Sequence, residues 1–123
     1  MNGTSLLADT NIIIYHLNGD KTIESLLEGK VIYLSFISRI ELLSFKKLNE
    51  LERGIINNFL SHTQIIHSNE VIADLAIKLK QRYSLKVPDS IIVATSQFLE
   101  IPLLTSDKDL VSLENVRSIF FQP

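Results

Sequence analysis

Cysteine and tryptophan are absent from the 123 residues, and only four glycines, three prolines and one methionine occur. The lack of cysteine excludes a disulfide framework, thiolate metal sites and a thiol nucleophile, and suits a reducing compartment. Four scattered glycines leave no glycine-rich phosphate loop, and the Gly-x-Ser-x-Gly elbow of a nucleophilic serine is missing. No apolar run approaches the length of a membrane span, and no basic segment precedes the short apolar run near the amino terminus. A cytoplasmic protein is therefore expected. An excess of one charge is also lacking: 12 basic against 14 acidic residues leave a net charge of -2, so any contact with nucleic acid has to come from a local patch. His16, His62 and His67 share no spacing that would join them into a site.

What remains is ordinary for a globular protein, with 46% hydrophobic and 21% charged residues. The length fits one domain over residues 1–123, built on a single core. Strand and helix signals alternate along it. Leu6-Leu7-Ala8 reads as a short strand that stops at Asp9 and leads into a helix from Ile12 to Leu17. Asn18-Gly19-Asp20 breaks that helix, and a second one carries Ile23, Leu26 and Leu27 to a stop at Gly29. Val31 to Leu34 is the second strand, followed by a helix start at Ser38. Leu48, Leu51, Ile55, Ile56, Phe59 and Leu60 give the apolar face of a further helix. Gln64 to His67 is the third strand, and Asn69 caps a helix carrying Val71, Ile72, Leu75, Ala76 and Leu79. Pro88 opens another helix. Strands over Ile101 to Thr105 and Val116 to Phe121 complete an α/β fold, a parallel sheet between two layers of helices.

Four acids recur at one kind of position. Asp9 follows the first strand and Asp107 follows the fourth. Glu41 and Asp89 lie near the starts of helices that leave the same carboxyl edge, where open α/β sheets bind ligands. Each also has a structural reading. Asp9 or Thr10 can cap a helix, Ser38 and Glu41 have capping-box spacing, and Asp89 complements a helix dipole. Gathered together, however, the four carboxylates would repel one another, and a bound cation is a usual remedy. Oxygen donors without cysteine suit Mg²⁺ or Mn²⁺ ahead of Zn²⁺. Such an ion activates water and neutralises a phosphoryl oxygen, the logic of phosphodiester hydrolysis. Lys78, Lys80, Arg82 and Lys86 form a basic run with no acid between them, either a solvated face or a seat for RNA.

Leu7-Ala8-Asp9-Thr10-Asn11, Ser38-Arg39-Ile40-Glu41-Leu42, Pro88-Asp89-Ser90-Ile91-Ile92-Val93-Ala94 and Leu104-Thr105-Ser106-Asp107-Lys108-Asp109 are similar, in order and spacing, to the four acidic motifs of PIN-domain ribonucleases. In size and motif content the chain most resembles the VapC-type toxins of toxin–antitoxin pairs. The resemblance implies a three-layer α/β/α sandwich with strand order 3-2-1-4-5. It implies Asp9, Glu41, Asp89 and Asp107 as metal-binding acids of a Mg²⁺- or Mn²⁺-dependent endoribonuclease, supported by Asn11 and Thr105. It further implies a homodimer, and an antitoxin whose tail blocks the acidic groove and through which the toxin reaches operator DNA. Leu110 departs from the aromatic residue of many relatives, which reads as a change in packing. Two other functions stay open. One is a catalytically inactive scaffold that binds an antitoxin and, through it, operator DNA. The other is a phosphotransfer domain with Asp9 as nucleophile, although Asn11 stands where such domains carry a second acid. Asp109, two residues beyond Asp107, is expected to face solvent.

Overall fold

The computed structural model describes residues 4–123, so the first three residues of the expected domain lie outside the described residues. The strands β1 (Ser5–Ala8), β2 (Val31–Ser35), β3 (Gln64–Ile66), β4 (Leu103–Thr105) and β5 (Ser118–Phe120) form one parallel sheet in the order β3-β2-β1-β4-β5. Between and beyond them run α1 (Thr10–Leu17), α2 (Lys21–Leu27), α3 (Phe36–Leu43), α4 (Glu50–Leu60), α5 (Glu70–Arg82), α6 (Val87–Leu99) and α7 (Lys108–Val111). The fold class and strand order are those expected. No described helix is long and apolar enough to cross a membrane.

A strand's side chains alternate between faces, so the sheet divides the interior in two. Leu6, Ala8, Ile32, Leu34 and Leu104 pack with Ile12, Ile13, Ile23, Ile56 and Leu60. Leu7 and Leu103 pack on the other side with Ile72, Leu79, Ile92 and Val93. The single core expected from length is thus two apolar layers, one per face. Chain order runs outward from β1 through β2 to β3, then returns to the far side of β1 for β4 and β5. The β1/β4 boundary is therefore the switch point, outside whose carboxyl ends a crevice opens.

Local chemistry explains the boundaries. Gly19 and Gly29 take positive φ, +89° and +74°, where a side chain would be strained. Asp20 caps α2 by accepting from Ile23 N at 2.9 Å, and Asn69 caps α5 by accepting from Ile72 N at 2.8 Å. Pro88 sits in the first turn of α6, where its missing N–H breaks no helical bond.

Two expectations need correction. Helix α3 does not begin at Ser38: Ser35, the last residue of β2, is its N-cap and accepts from Ile37 N at 3.1 Å. The capping box lies instead at Asn49 and Glu52, at the start of α4. The apolar face assigned to α4 is also only partly buried. Ile56 and Leu60 are buried, one turn apart, whereas Leu51 and Ile55 form a neighbouring stripe left 75% and 51% exposed. A helix lying on one layer turns a single stripe inward. Leu7→Ala, in the central strand, is expected to cost about 2–5 kcal/mol of stability in urea unfolding. Leu51→Ala should stay within about 0.5 kcal/mol, and a larger loss there would mean that the Leu51 stripe is covered.

Candidate active site

Asp9 directly follows β1, donates its N–H to Leu104 O at 2.9 Å and is the N-cap of α1, so its backbone is fixed by sheet and helix together. Its Oδ1 accepts from Thr10 N at 2.8 Å, and its Oδ2 accepts from the Thr105 hydroxyl at 2.8 Å. Thr105, fully buried at the end of β4, accepts in turn from Asp107 N at 3.0 Å. Asp107 caps the short α7 by accepting from Asp109 N at 2.9 Å. One hydrogen-bonded chain thus links the acids that follow β1 and β4. A second runs across to α3, where Thr10 Oγ1 donates to Glu41 Oε1 at 2.6 Å and lies 2.8 Å from Ser38 Oγ.

These residues surround one open cavity of about 420 Å³, lined by Asp9, Thr10, Asn11, Glu41, Asp89 and Asp107, with Ile14, Ser44 and Phe45 beside them. All four acids singled out in the sequence meet there. Asn11 is exposed on the rim, and Thr105 acts from beneath through Asp9. Asp109 is exposed and does not line the cavity. Among the described residues no three Asp, Glu or His side chains already stand at the spacing of a closed metal cage. The cavity is wider than that. Its donor set, carboxylates around an open space, suits a hard ion that keeps several waters and takes only one or two protein carboxylates at a time.

Electrostatics sets the cost of this arrangement. Burial raises the pKa of Asp9, the bonds from Thr105 and Thr10 lower it, and the charges of Asp89 and Asp107 raise it again, with a net upward shift. Asp89 is also shifted up, by burial first and then by Asp107 and Glu41, against the opposing charge of Lys86. Both shifts come from burial first, and repulsion between the carboxylates adds to it.

The basic run does not stay together. Lys86 is the N-cap residue of α6, with its charge acting on Asp89. Arg82 is paired with Glu114, and Lys80 Nζ donates to Leu85 O at 2.6 Å. Lys78 shares a separate groove with Arg82, Tyr83 and Asn115. Lys78 and Arg82, four positions apart, share one face of α5, Lys80 falls on another, and Lys86 lies beyond the helix.

Two site residues escaped the sequence reading, Thr10 and Ser38, both taken only as caps. The spacing that suggested a capping box also puts positions i and i+3 on one helical face. That is how Ser38 and Glu41 both meet Thr10.

Fold and cavity together define an α/β protein with an acid-lined crevice at the switch point of a parallel sheet. The PIN domain model matches residues 6–116, and the chain belongs to the PIN domain family. No curated protein sequence matches it. Among solved structures it is similar to a chain of a toxin–antitoxin complex from Klebsiella pneumoniae, with 32% identity and a TM-score of 0.79 over 90% of this chain and 94% of that one. The fold is shared with chains of DNA-bound VapBC from Salmonella typhimurium, at a TM-score of 0.83 and 14% identity over 94% of this chain and 97% of that one. It is shared as well with VapBC2 from Rickettsia felis bound to a promoter DNA fragment, at 0.79 and 21% over 95% and 98%. The family read from the four acidic motifs is borne out.

The raised carboxylates give a pH dependence of definite sign. A folded pKa above the unfolded value means that the native state binds more protons, so this contribution to stability is lost as pH rises through the folded value. In chelator, Asp9→Asn is expected to be more stable than the wild type at pH 7, with the difference shrinking as pH falls toward 3.8, the ordinary aspartate value. Urea midpoints across that range test it. A variant less stable at neutral pH would mean that the bonds Asp9 accepts outweigh the cost of burying its charge beside other acids.

Proposed function

We propose that this chain is a Mg²⁺- or Mn²⁺-dependent endoribonuclease, the toxin of a toxin–antitoxin pair. The observation that carries the reading is the convergence of Asp9, Glu41, Asp89 and Asp107 on one open cavity at the switch point of the sheet. Membership of the PIN domain family and 32% identity to a chain of a toxin–antitoxin complex support it.

A divalent cation bound among these acids would lower the pKa of a water and neutralise charge on a phosphoryl oxygen. The chain's own residues supply the frame. Thr105 and Thr10 N–H hold both oxygens of Asp9, and Thr105 also accepts from the backbone of Asp107. Asn11, exposed at the rim, offers an amide donor to a phosphate. Lys86 adds positive charge beside Asp89, where an RNA backbone would approach. Of the basic run, Lys86 is the residue whose charge reaches the acids, whereas Lys78 and Arg82 line a separate groove and Lys80 is bonded to Leu85 O.

Both alternatives are weaker. A phosphotransfer domain with Asp9 as nucleophile would carry a second acid two residues on, and Asn11 stands there instead. An inactive scaffold would have no use for four mutually repelling carboxylates.

An antitoxin partner fits an apolar groove of about 340 Å³ lined by Ile14, Leu17, Leu42, Phe45, Leu48 and Ile55. The groove shares Ile14 and Phe45 with the acidic cavity, so a segment lying in it would lead over the carboxylates. The reading carries a homodimer in the cytoplasm, reaching operator DNA only through the antitoxin.

Purified protein incubated with total RNA should yield new ends with Mg²⁺ or Mn²⁺ and none in chelator; fragments that persist under chelation would contradict the metal mechanism. Asp107→Asn is expected to lose activity that extra Mn²⁺ partly restores, whereas Asp109→Asn is nearly silent. The reverse pattern would reassign the fourth acid. Lys86→Gln should weaken RNA binding and reduce the slope of log affinity against log salt by about 0.7 for a single-stranded substrate. An unchanged slope would return Lys86 to a role in solvation alone.

A further inference from the structure

The Thr10 hydroxyl carries one proton and has two close partners, Glu41 Oε1 and Ser38 Oγ. The hydroxyl donates to Glu41 Oε1, which uses its one proton, so Thr10 Oγ1 accepts from Ser38. The relay therefore has a fixed direction, from Ser38 through Thr10 to Glu41. Its inner members are enclosed: Ser38 is 0% exposed and Thr10 is 9% exposed. Glu41 itself is exposed, and this is its only hydrogen bond to another side chain among the described residues. The hydroxyl has no capping task, because Asp9 caps α1 and Ser35 caps α3. Meanwhile the Thr10 N–H bonds Asp9 Oδ1. One residue thus touches two of the four carboxylates, with its backbone on one and its side chain on the other.

We propose that Thr10 is a positioning residue that sets the separation of Asp9 and Glu41 across the cavity, with Ser38 aiming its hydroxyl. The proposal rests on the reading of the cavity as a divalent-cation site. A glutamate at a solvent-facing position samples many rotamers, and holding it in one lowers the cost of ligation.

The test measures Mn²⁺ uptake without RNA, from the electron paramagnetic resonance signal of the free ion, in the wild type, Thr10→Val and Thr10→Ser. Valine keeps the shape and removes the hydroxyl, and it leaves Ser38 buried without its acceptor. Thr10→Val combined with Ser38→Ala, which leaves no orphan hydroxyl, is therefore measured alongside. Both valine variants are expected to lose about 10-fold to 100-fold in Mn²⁺ affinity, while Thr10→Ser stays close to the wild type. In a Glu41→Gln background the valine substitution should cost much less, since the two residues act as one unit. Unchanged affinity in the valine variants, a serine variant as weak as valine, or an undiminished loss in the Glu41→Gln background would each overturn the positioning role while leaving the cation site standing. A wild type that takes up no Mn²⁺ would overturn the cation site and this proposal together.

Discussion

A carboxylate buried at the end of the central strand, with both oxygens already bonded, is the constraint on which the rest of the site depends. Asp9 is 8% exposed and tied to Thr10 on one side and Thr105 on the other, so its position is set by β1, β4 and α1 jointly. Burying an acid is unfavourable unless its charge is compensated, and here the neighbouring charges are also acids. The fold gives up stability at this edge and recovers it in the two apolar layers beneath. Such a concentration of unfavourable charge in a cavity marks a functional site with a physical rationale.

The hydrogen bonds divide the acids by freedom of movement. Asp9 is locked. Asp107 is held through its backbone and through its cap to α7, and Glu41 through a single hydroxyl. Among the described residues Asp89, half-buried in the first turn of α6, has only the electrostatic company of Lys86, Asp107 and Glu41. An open cavity with one rigid and several adjustable carboxylates can close on an ion that keeps part of its own hydration.

Much of this was legible in the chain. Strands short enough to end sharply at Asp9 and at Thr105-Ser106-Asp107 announce the carboxyl edge, and the alternation of strand and helix fixes a parallel sheet. Asn69 and Pro88 mark helix starts by local chemistry that holds in any surroundings. What was not legible depends on neighbours. The passage from β2 to α3 has no loop, because Ser35 ends one element and caps the other, and an apolar run gives no sign of such a junction. Periodicity puts Leu51 and Ile55 on a face of α4 but does not say whether anything covers it. The basic run was read along the sequence, whereas Arg82 meets Glu114 and only Lys86 meets the site. The partnership of Thr10 with Glu41 spans 31 positions, a separation that no local pattern reports.

The central claim is that the four repelling carboxylates are reconciled by a divalent cation. Crystals soaked in Mn²⁺ and measured at wavelengths on either side of the manganese absorption edge test it most directly. The account predicts an anomalous peak inside the cavity, within coordination distance of Asp9 and at least one of Glu41, Asp89 and Asp107. A cavity without a peak at saturating Mn²⁺, or manganese bound only elsewhere on the surface, would contradict it.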